Sequence, residues 1–134
     1  MLNILNIRLL TKPLILILGV LSLVFSSEPV PRQDVFLFCL KPDMEPLSIS
    51  RSESSFLVDN DDLNFFFSNN GISNIEKWIP QATDIDRDGD IYLNRIYRVY
   101  IDENYRNSID FIINSMQGFP FVLYAENEFE RKPL

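Results

Sequence analysis

The chain has 134 residues, with 19 acidic and 12 basic side chains, a formal net charge of -7 and no histidine. The acidic excess argues against a nucleic-acid partner, because phosphate contacts need clustered Lys and Arg. Without histidine there is no Ser-His-Asp or Cys-His catalytic pair, and the usual zinc ligand sets are missing. The glycines are too dispersed for a phosphate-binding loop. We therefore expect a protein that is not an enzyme.

Residues 1–27 have the order of a secretory signal peptide. Arg8 and Lys12 precede an apolar run over residues 14–25, and two serines follow it. The run of about 12 residues is short against the roughly 20 that span a bilayer, which favours a cleaved signal over an anchor. We expect a secreted protein, extracellular or in the cell envelope, with no stable membrane association after cleavage.

The rest of the chain divides into a linker (28–33), one domain (34–129) and a C-terminal tail (130–134). About 107 residues are enough for one domain with one core. Loss of both basic residues of the signal leaves this part more acidic still. Cys39 is the only cysteine, so no internal disulfide forms. Its apolar surroundings in sequence predict a buried thiol.

The first half of the domain contains two clear elements. Residues 35–40 are a short apolar run stopped by Lys-Pro, which predicts a buried strand. Residues 43–55 show no period and are interpreted as a loop. Residues 59–70 predict a helix with a capping Asp or Asn, acidic residues in its first turn and an apolar stripe. Gly71 then ends this helix.

The second half has the order strand, strand, helix and strand. Residues 72–79 predict a half-buried strand closed by proline, and 81–92 form a polar, acidic connection. Residues 95–101 alternate in hydrophobicity, as in a strand with one face on a core. Residues 102–117 carry apolar side chains at helical spacing. Residues 121–125 predict the last strand.

The predicted order of elements is β-α-β-β-α-β, an α+β pattern described as ferredoxin-like. Two helices would then cover one face of a four-stranded antiparallel sheet. Tyr97, Val99 and Ile101 are expected to face the core. The opposite face is expected to expose large apolar groups on adjacent strands, which makes it a candidate partner surface. The side chains expected there are Ile96, Tyr100, Val122 and Tyr124.

The acidic connection contains the first half of a calcium-binding loop. Carboxylates at alternate positions followed by glycine wrap oxygen ligands around a cation. The candidate metal ligands are Asp84, Asp86, Asp88 and Asp90. Arg95 stands where the closing glutamate of such a loop is required, and the flanks predict strands. A calcium site and a metal-free acidic connector both remain open, and we expect no other cofactor.

Four segments carry a family resemblance in their order and spacing. They read Val-Phe-Leu-Phe-Cys-Leu-Lys-Pro at 35–42, Asn-Gly-Ile-Ser-Asn-Ile-Glu-Lys-Trp-Ile-Pro at 70–80, Leu-Asn-Arg-Ile-Tyr-Arg-Val at 93–99 and Val-Leu-Tyr-Ala-Glu-Asn-Glu-Phe at 122–129. Over residues 34–129 the chain resembles the N-terminal propeptide of secreted bacterial subtilisin-like serine proteases (subtilases), the fervidolysin-like variety. The Pro-Asn pair typical of the last segment is Asn-Glu here.

The resemblance implies a ferredoxin-like domain that acts as intramolecular chaperone and inhibitor. In the family, the sheet face docks on the protease and the C-terminal tail lies in its active-site cleft. Glu126 and Glu128 would then face helix N-termini of the protease. The protease-binding candidates carried over are Ile96, Arg98, Tyr100, Val122, Tyr124, Glu126, Glu128, Glu130, Arg131, Lys132, Pro133 and Leu134.

Two functional hypotheses follow. The first is a secreted propeptide-like domain that binds a subtilisin-like protease, in a stand-alone or truncated form, since no protease domain follows Leu134 in this sequence. The alternative is a small secreted calcium-binding or adhesion-type module without a protease partner.

Overall fold

A computed structural model describes residues 28–131 of the chain. The predicted signal peptide (1–27) and the tail residues Lys132, Pro133 and Leu134 lie outside the described residues. The chain divides into two units, Met1–Val30 and Pro31–Leu134, and the second contains all the elements described below. Within residues 28–131, no helix is long and apolar enough to cross a membrane.

Four strands form one antiparallel sheet, with strands and helices numbered in chain order. They are β1 (Pro31–Leu40), β4 (Ile72–Lys77), β7 (Ile96–Ile101) and β8 (Val122–Phe129), and their order in the sheet is β4-β7-β1-β8. The predicted α+β class and four-stranded antiparallel sheet are confirmed. Two strands are longer than expected: β1 begins inside the predicted linker, and β8 continues four residues beyond Ala125.

Two α-helices complete the domain. Helix α1 (Asp61–Asn69) begins after Asn60, whose side-chain oxygen accepts a hydrogen bond from the Leu63 amide at 3.0 Å. This bond satisfies one of the free amides at the helix start. Helix α2 (Ile109–Gln117) is shorter than predicted, because the preceding Glu103–Ser108 segment forms a 3₁₀ helix.

Two short hairpins occupy segments interpreted as loop or connector. Strands β2 (Ile49–Arg51) and β3 (Phe56–Val58) form the first, and β5 (Arg87–Asp88) and β6 (Ile91–Tyr92) the second. Gly89, with φ +59°, turns the second hairpin, and a 3₁₀ helix over Leu93–Arg95 leads into β7. Strands of two or three residues are too short for an alternating pattern to identify them.

The hydrophobic core lies between one face of the sheet and both helices. Tyr97, Val99 and Ile101 point into it, as predicted. The Tyr97 hydroxyl accepts a hydrogen bond from the Leu47 amide at 2.7 Å, and burial raises the pKa of Tyr97 to about 12. The helices contribute Leu63, Phe66, Phe67, Ile109, Ile112, Ile113 and Met116.

Candidate functional site

The face of the sheet away from the helices is the candidate site, and we call it the second face. The strand register places side chains from all four strands in rows across it. A partner residue across an antiparallel pair shares the same face, so the register assigns most of them. The bonds from Arg98 place Glu128 on the same face. The second face includes Val35, Leu37, Cys39, Glu76, Ile96, Arg98, Tyr100, Tyr124, Glu126 and Glu128.

Arg98 is the centre of a hydrogen-bonded network on this face. Its Nε and one terminal nitrogen donate to the two oxygens of Glu128 at 2.8 and 2.6 Å. Its other terminal nitrogen donates to Glu76 Oε1 at 3.1 Å, and the Tyr100 hydroxyl donates to the same oxygen at 2.7 Å. Arg32 approaches Glu128 at 3.6 Å. We call these five residues the Arg98 network.

The charges of the Arg98 network are held by their partners. The hydrogen bond from Tyr100, followed by that from Arg98, lowers the pKa of the Glu76 carboxyl. The same bond raises the pKa of Tyr100, because ionised Tyr100 would face a carboxylate. The pKa of Arg98 is raised mainly by its bonds to Glu128. The network therefore joins two arginines to two carboxyl groups, and Arg32 is also bonded to Asp34.

An apolar strip lies along the middle of the second face. Val35, Leu37, Cys39 and Ile96 are all buried, and none belongs to the core beneath the helices. The expectation of an exposed Ile96 is therefore wrong, since its side chain is 3% exposed. The bond from Arg98 on β7 to Glu128 on β8 must pass over β1, which lies between them. Burial also raises the pKa of the Cys39 thiol to about 11.

Val122 is not on the second face, contrary to the prediction. It packs in the core beneath the helices with 4% exposure, whereas Tyr124 is on the second face. Residues two apart in a regular strand share a face, but Cys39 pairs with Tyr124 and Leu40 with Val122, so Leu123 is an extra residue on β8. This β-bulge reverses the facing of the strand.

The remaining predicted binding residues differ in accessibility. Tyr100 and Tyr124 are half-buried, and Glu126 is exposed. Among residues 28–131, Glu126 forms no ion pair, in contrast to Glu128. Glu130 and Arg131 are exposed beyond the end of β8. The accessible part of the second face therefore consists of Tyr124, Glu126 and the polar groups of the Arg98 network.

The four acids proposed for calcium do not converge. Asp84 accepts hydrogen bonds from Asn94 at 2.8 Å and from Arg95 at 3.0 Å, and these bonds lower its pKa in that order. The Asp86 carboxylate accepts a hydrogen bond from the Thr83 amide at 2.7 Å. Within the part of the chain that the structure describes, no group of three or more acidic or cysteine side chains is placed to hold a metal. Arg95 is where a calcium loop needs its closing acid.

Arg32 and Glu76 were missed by the sequence reasoning. Glu76 lies directly across from Arg98 in the β4–β7 pair, a position that opposite charges favour. Aligning the strand at 72–77 antiparallel to that at 96–101 would have placed Glu76 opposite Arg98. Arg32 lies in the stretch interpreted as linker, and it also pairs with Asp34 at 3.0 Å.

Comparisons of the chain with protein-family models, with curated proteins and with solved structures find no match. The basis for assigning a function is thus the chain's own residues.

Proposed function

We propose that this chain is a secreted, non-enzymatic propeptide-like domain that binds a subtilisin-like serine protease as inhibitor and folding chaperone. The observation that carries the proposal is the one-sided sheet: both helices pack on one face, and the other leaves Tyr124, Glu126 and the Arg98 network accessible. The resemblance of residues 34–129 to subtilase propeptides supports it. The lack of histidine in the whole chain supports a binding role over a catalytic one.

The finer fold assignment belongs to the same proposal. The main elements follow one another as β1, α1, β4, β7, α2 and β8. Each helix connects two strands that are not neighbours: β7 separates β1 from β4, and β1 separates β7 from β8. This split βαβ arrangement, occurring twice, supports a ferredoxin-like fold.

The proposed mechanism uses the second face and the C-terminal segment together. Tyr100 and Tyr124 offer amphipathic rings that pack on a partner, and the Tyr100 hydroxyl stays hydrogen-bonded to Glu76. The exposed carboxylate of Glu126 suits the N-terminus of a partner helix, where the helix dipole favours negative charge. Glu128 is instead held within the domain by Arg98, so we assign the recognition role to Glu126.

The tail follows directly after an edge strand of the sheet. Strand β8 is an edge strand that runs to Phe129, and Glu130 and Arg131 follow it exposed. A protease cleft binds extended backbone by main-chain hydrogen bonds, as in strand addition. The segment 130–134 is therefore the proposed inhibitory element.

Inhibition of a purified subtilase by the intact chain tests the proposal. Deletion of residues 130–134 should weaken inhibition by about tenfold or more, because it removes the backbone contacts in the cleft. Tyr124→Ala should weaken it through the second face. Phe111→Ser, on the exposed side of α2, is the matched control and should inhibit like the parent chain. Full inhibition by the deletion variant would overturn the tail mechanism, and no inhibition of any subtilase would overturn the function.

A further inference from the structure

The two edges of the four-stranded sheet differ in how far their outward backbone groups are already hydrogen-bonded. At the β4 edge, the Arg51 guanidinium, from the β2–β3 hairpin, hydrogen-bonds the Asn74 side chain and the Ile75 carbonyl. The Asn74 side-chain oxygen also accepts from the Ile75 amide at 2.9 Å. Both backbone groups of Ile75 are thus occupied, although Ile75 lies in an edge strand. The β4 edge is closed to a further strand at this point.

The β8 edge is largely open. The Lys41 amide donates to the Phe121 carbonyl at 2.9 Å, next to the Leu40–Val122 pair. In an antiparallel pair, hydrogen-bonded and non-hydrogen-bonded residues alternate, so this bond fixes the phase, that is, which residues of β8 bond to β1. With the bulge at Leu123, this phase points the backbone groups of Ala125 and Asn127 away from β1. The bond from Gln117 Nε2 to the Ala125 carbonyl at 2.6 Å agrees with that direction.

Three backbone groups on the β8 edge are available to a new strand. By this phase the Ala125 amide and both the amide and the carbonyl of Asn127 point away from β1, and among residues 28–131 no side chain or loop backbone group bonds to them. An edge strand with a row of such groups is a template for strand pairing. The spacing of two residues between them matches the outward groups of one strand edge.

The charge on the β8 edge selects the partner. Glu126 lies between the two outward residues, is exposed and points to the second face, and Glu130 extends the acidic stretch. Glu128 is neutralised by Arg98 and Arg32. A residue of an added strand directly across from Glu126 would lie about 5 Å away, where an opposite charge is favourable and a like charge is not. A second copy of β8 would bring more acidic residues to this position.

We propose that the free edge of β8 binds an extended segment of a partner protein that carries Lys or Arg across from Glu126. The segment adds to the sheet as a fifth strand through the amides of Ala125 and Asn127, and its basic side chains lie on the second face. This inference goes beyond the proposed function, because it needs neither the tail nor a protease.

Titration of the isotope-labelled intact chain with a synthetic strand peptide tests it. The peptide alternates Lys with Val, and the control peptide has Glu in place of Lys. We expect the Lys peptide to shift the amide resonances of Ala125 and Asn127 and slow their hydrogen exchange. The Glu peptide should bind about threefold more weakly or worse. Shifts elsewhere on the sheet without these two would overturn the proposal.

Two variants separate backbone pairing from charge. Asn127→Pro removes an outward amide that the sheet itself does not use, so the fold tolerates it and peptide binding is lost. Glu126→Lys leaves every backbone group in place and should reverse the preference, so that the Glu peptide binds better than the Lys peptide. An unchanged preference in Glu126→Lys would overturn the charge selection. Self-association of the parent chain through β8 without peptide would show that a second copy occupies the edge instead.

Discussion

The Arg98 guanidinium and the Glu128 carboxylate form a two-bond ion pair that joins strands β7 and β8 across β1, with bonds of 2.8 and 2.6 Å. Parallel bonds of this kind fix orientation as well as charge, because the planar guanidinium matches the carboxylate. The pair is only partly exposed, with 24% and 17% of the two side chains accessible. It therefore holds the second face in one arrangement.

Replacement of Arg98 tests how much this ion pair contributes to the stability of the domain. Arg98→Ala leaves Glu128 without its main partner and leaves Glu76 with the Tyr100 hydroxyl but no arginine, and we expect the free energy of unfolding to fall by about 1–3 kcal/mol. Urea unfolding followed by circular dichroism measures the change. Arg131→Ala is the control, because Arg131 is exposed and should alter stability by no more than about 0.5 kcal/mol. Equal effects of the two variants would contradict the structural role.

The pH dependence of stability should contain a contribution from Glu76. Its pKa is lowered in the folded state by the Tyr100 hydroxyl and then by Arg98. The stabilisation by ionised Glu76 is therefore complete above about pH 4.3, the pKa of a glutamate in the unfolded chain. It is lost as the pH falls from there through the lower pKa of Glu76 in the folded protein.

Urea unfolding between neutral pH and pH 3 measures this dependence. Glu76→Gln should be less stable at pH 7 and should lose less stability on acidification than the parent chain. Glu45→Gln, at an exposed position, should follow the parent curve.

Gly71 and Gly89 form a matched pair that tests how tightly the turn before β4 is packed. Both have positive φ, +63° and +59°, so alanine is strained by about 1 kcal/mol at either position. A Cβ at Gly71 would also overlap the Tyr105 ring, whereas nothing lies within 4 Å of one at Gly89. We expect Gly71→Ala to cost about 2–4 kcal/mol and Gly89→Ala about 1 kcal/mol. Tyr105→Ala in the Gly71→Ala background should recover part of the difference, and no recovery would rule out the clash.

The Cys39 thiol should be inert in the folded protein. It is fully buried, and burial raises its pKa to about 11, so little thiolate exists at pH 8. We expect reaction with a disulfide reagent at pH 8 to be at least about a hundredfold slower in buffer than in denaturing urea. Rapid labelling in buffer would mean that the strip beneath the Arg98 network opens readily.

Calcium should leave the stability of the chain unchanged. Asp84 is bonded to Asn94 and Arg95, so calcium binding would have to displace a buried arginine. We expect no shift in melting temperature and no heat of binding at millimolar calcium. A calcium-dependent rise in melting temperature that Asp86→Asn abolishes would restore the alternative function.

The sequence predicted the parts of this fold that depend on local pattern. The alternation at 95–101 placed Tyr97, Val99 and Ile101 in the core, and the Asn60 cap lay within the predicted helix start. It failed where pairing between strands decides the outcome. The bulge at Leu123 moves Val122 into the core, and no local pattern signals an extra residue in one strand of a pair.

The candidate site shows the same division. Arg98 and Tyr100 were expected on one face and lie there, and Glu128 joins them through its bonds to Arg98. Their mutual bonds, and the roles of Glu76 and Arg32, depend on which strands are neighbours, since β4 and β8 flank the central pair only in the folded sheet. Ile96 was expected to be exposed because it lies on the face that the helices leave uncovered, yet it is buried.

The cap that Arg51 places on β4 has a consequence for how this protein associates. Fibril growth by edge pairing needs two open edges, so that each added molecule presents a fresh edge to the next. A sheet with one edge blocked can add to the end of a growing stack, but it presents no open edge to the next molecule, so growth ends there. We expect loss of Arg51 to leave both edges of the four-stranded sheet open to pairing, which gives a solvent-exposed arginine a role in limiting association.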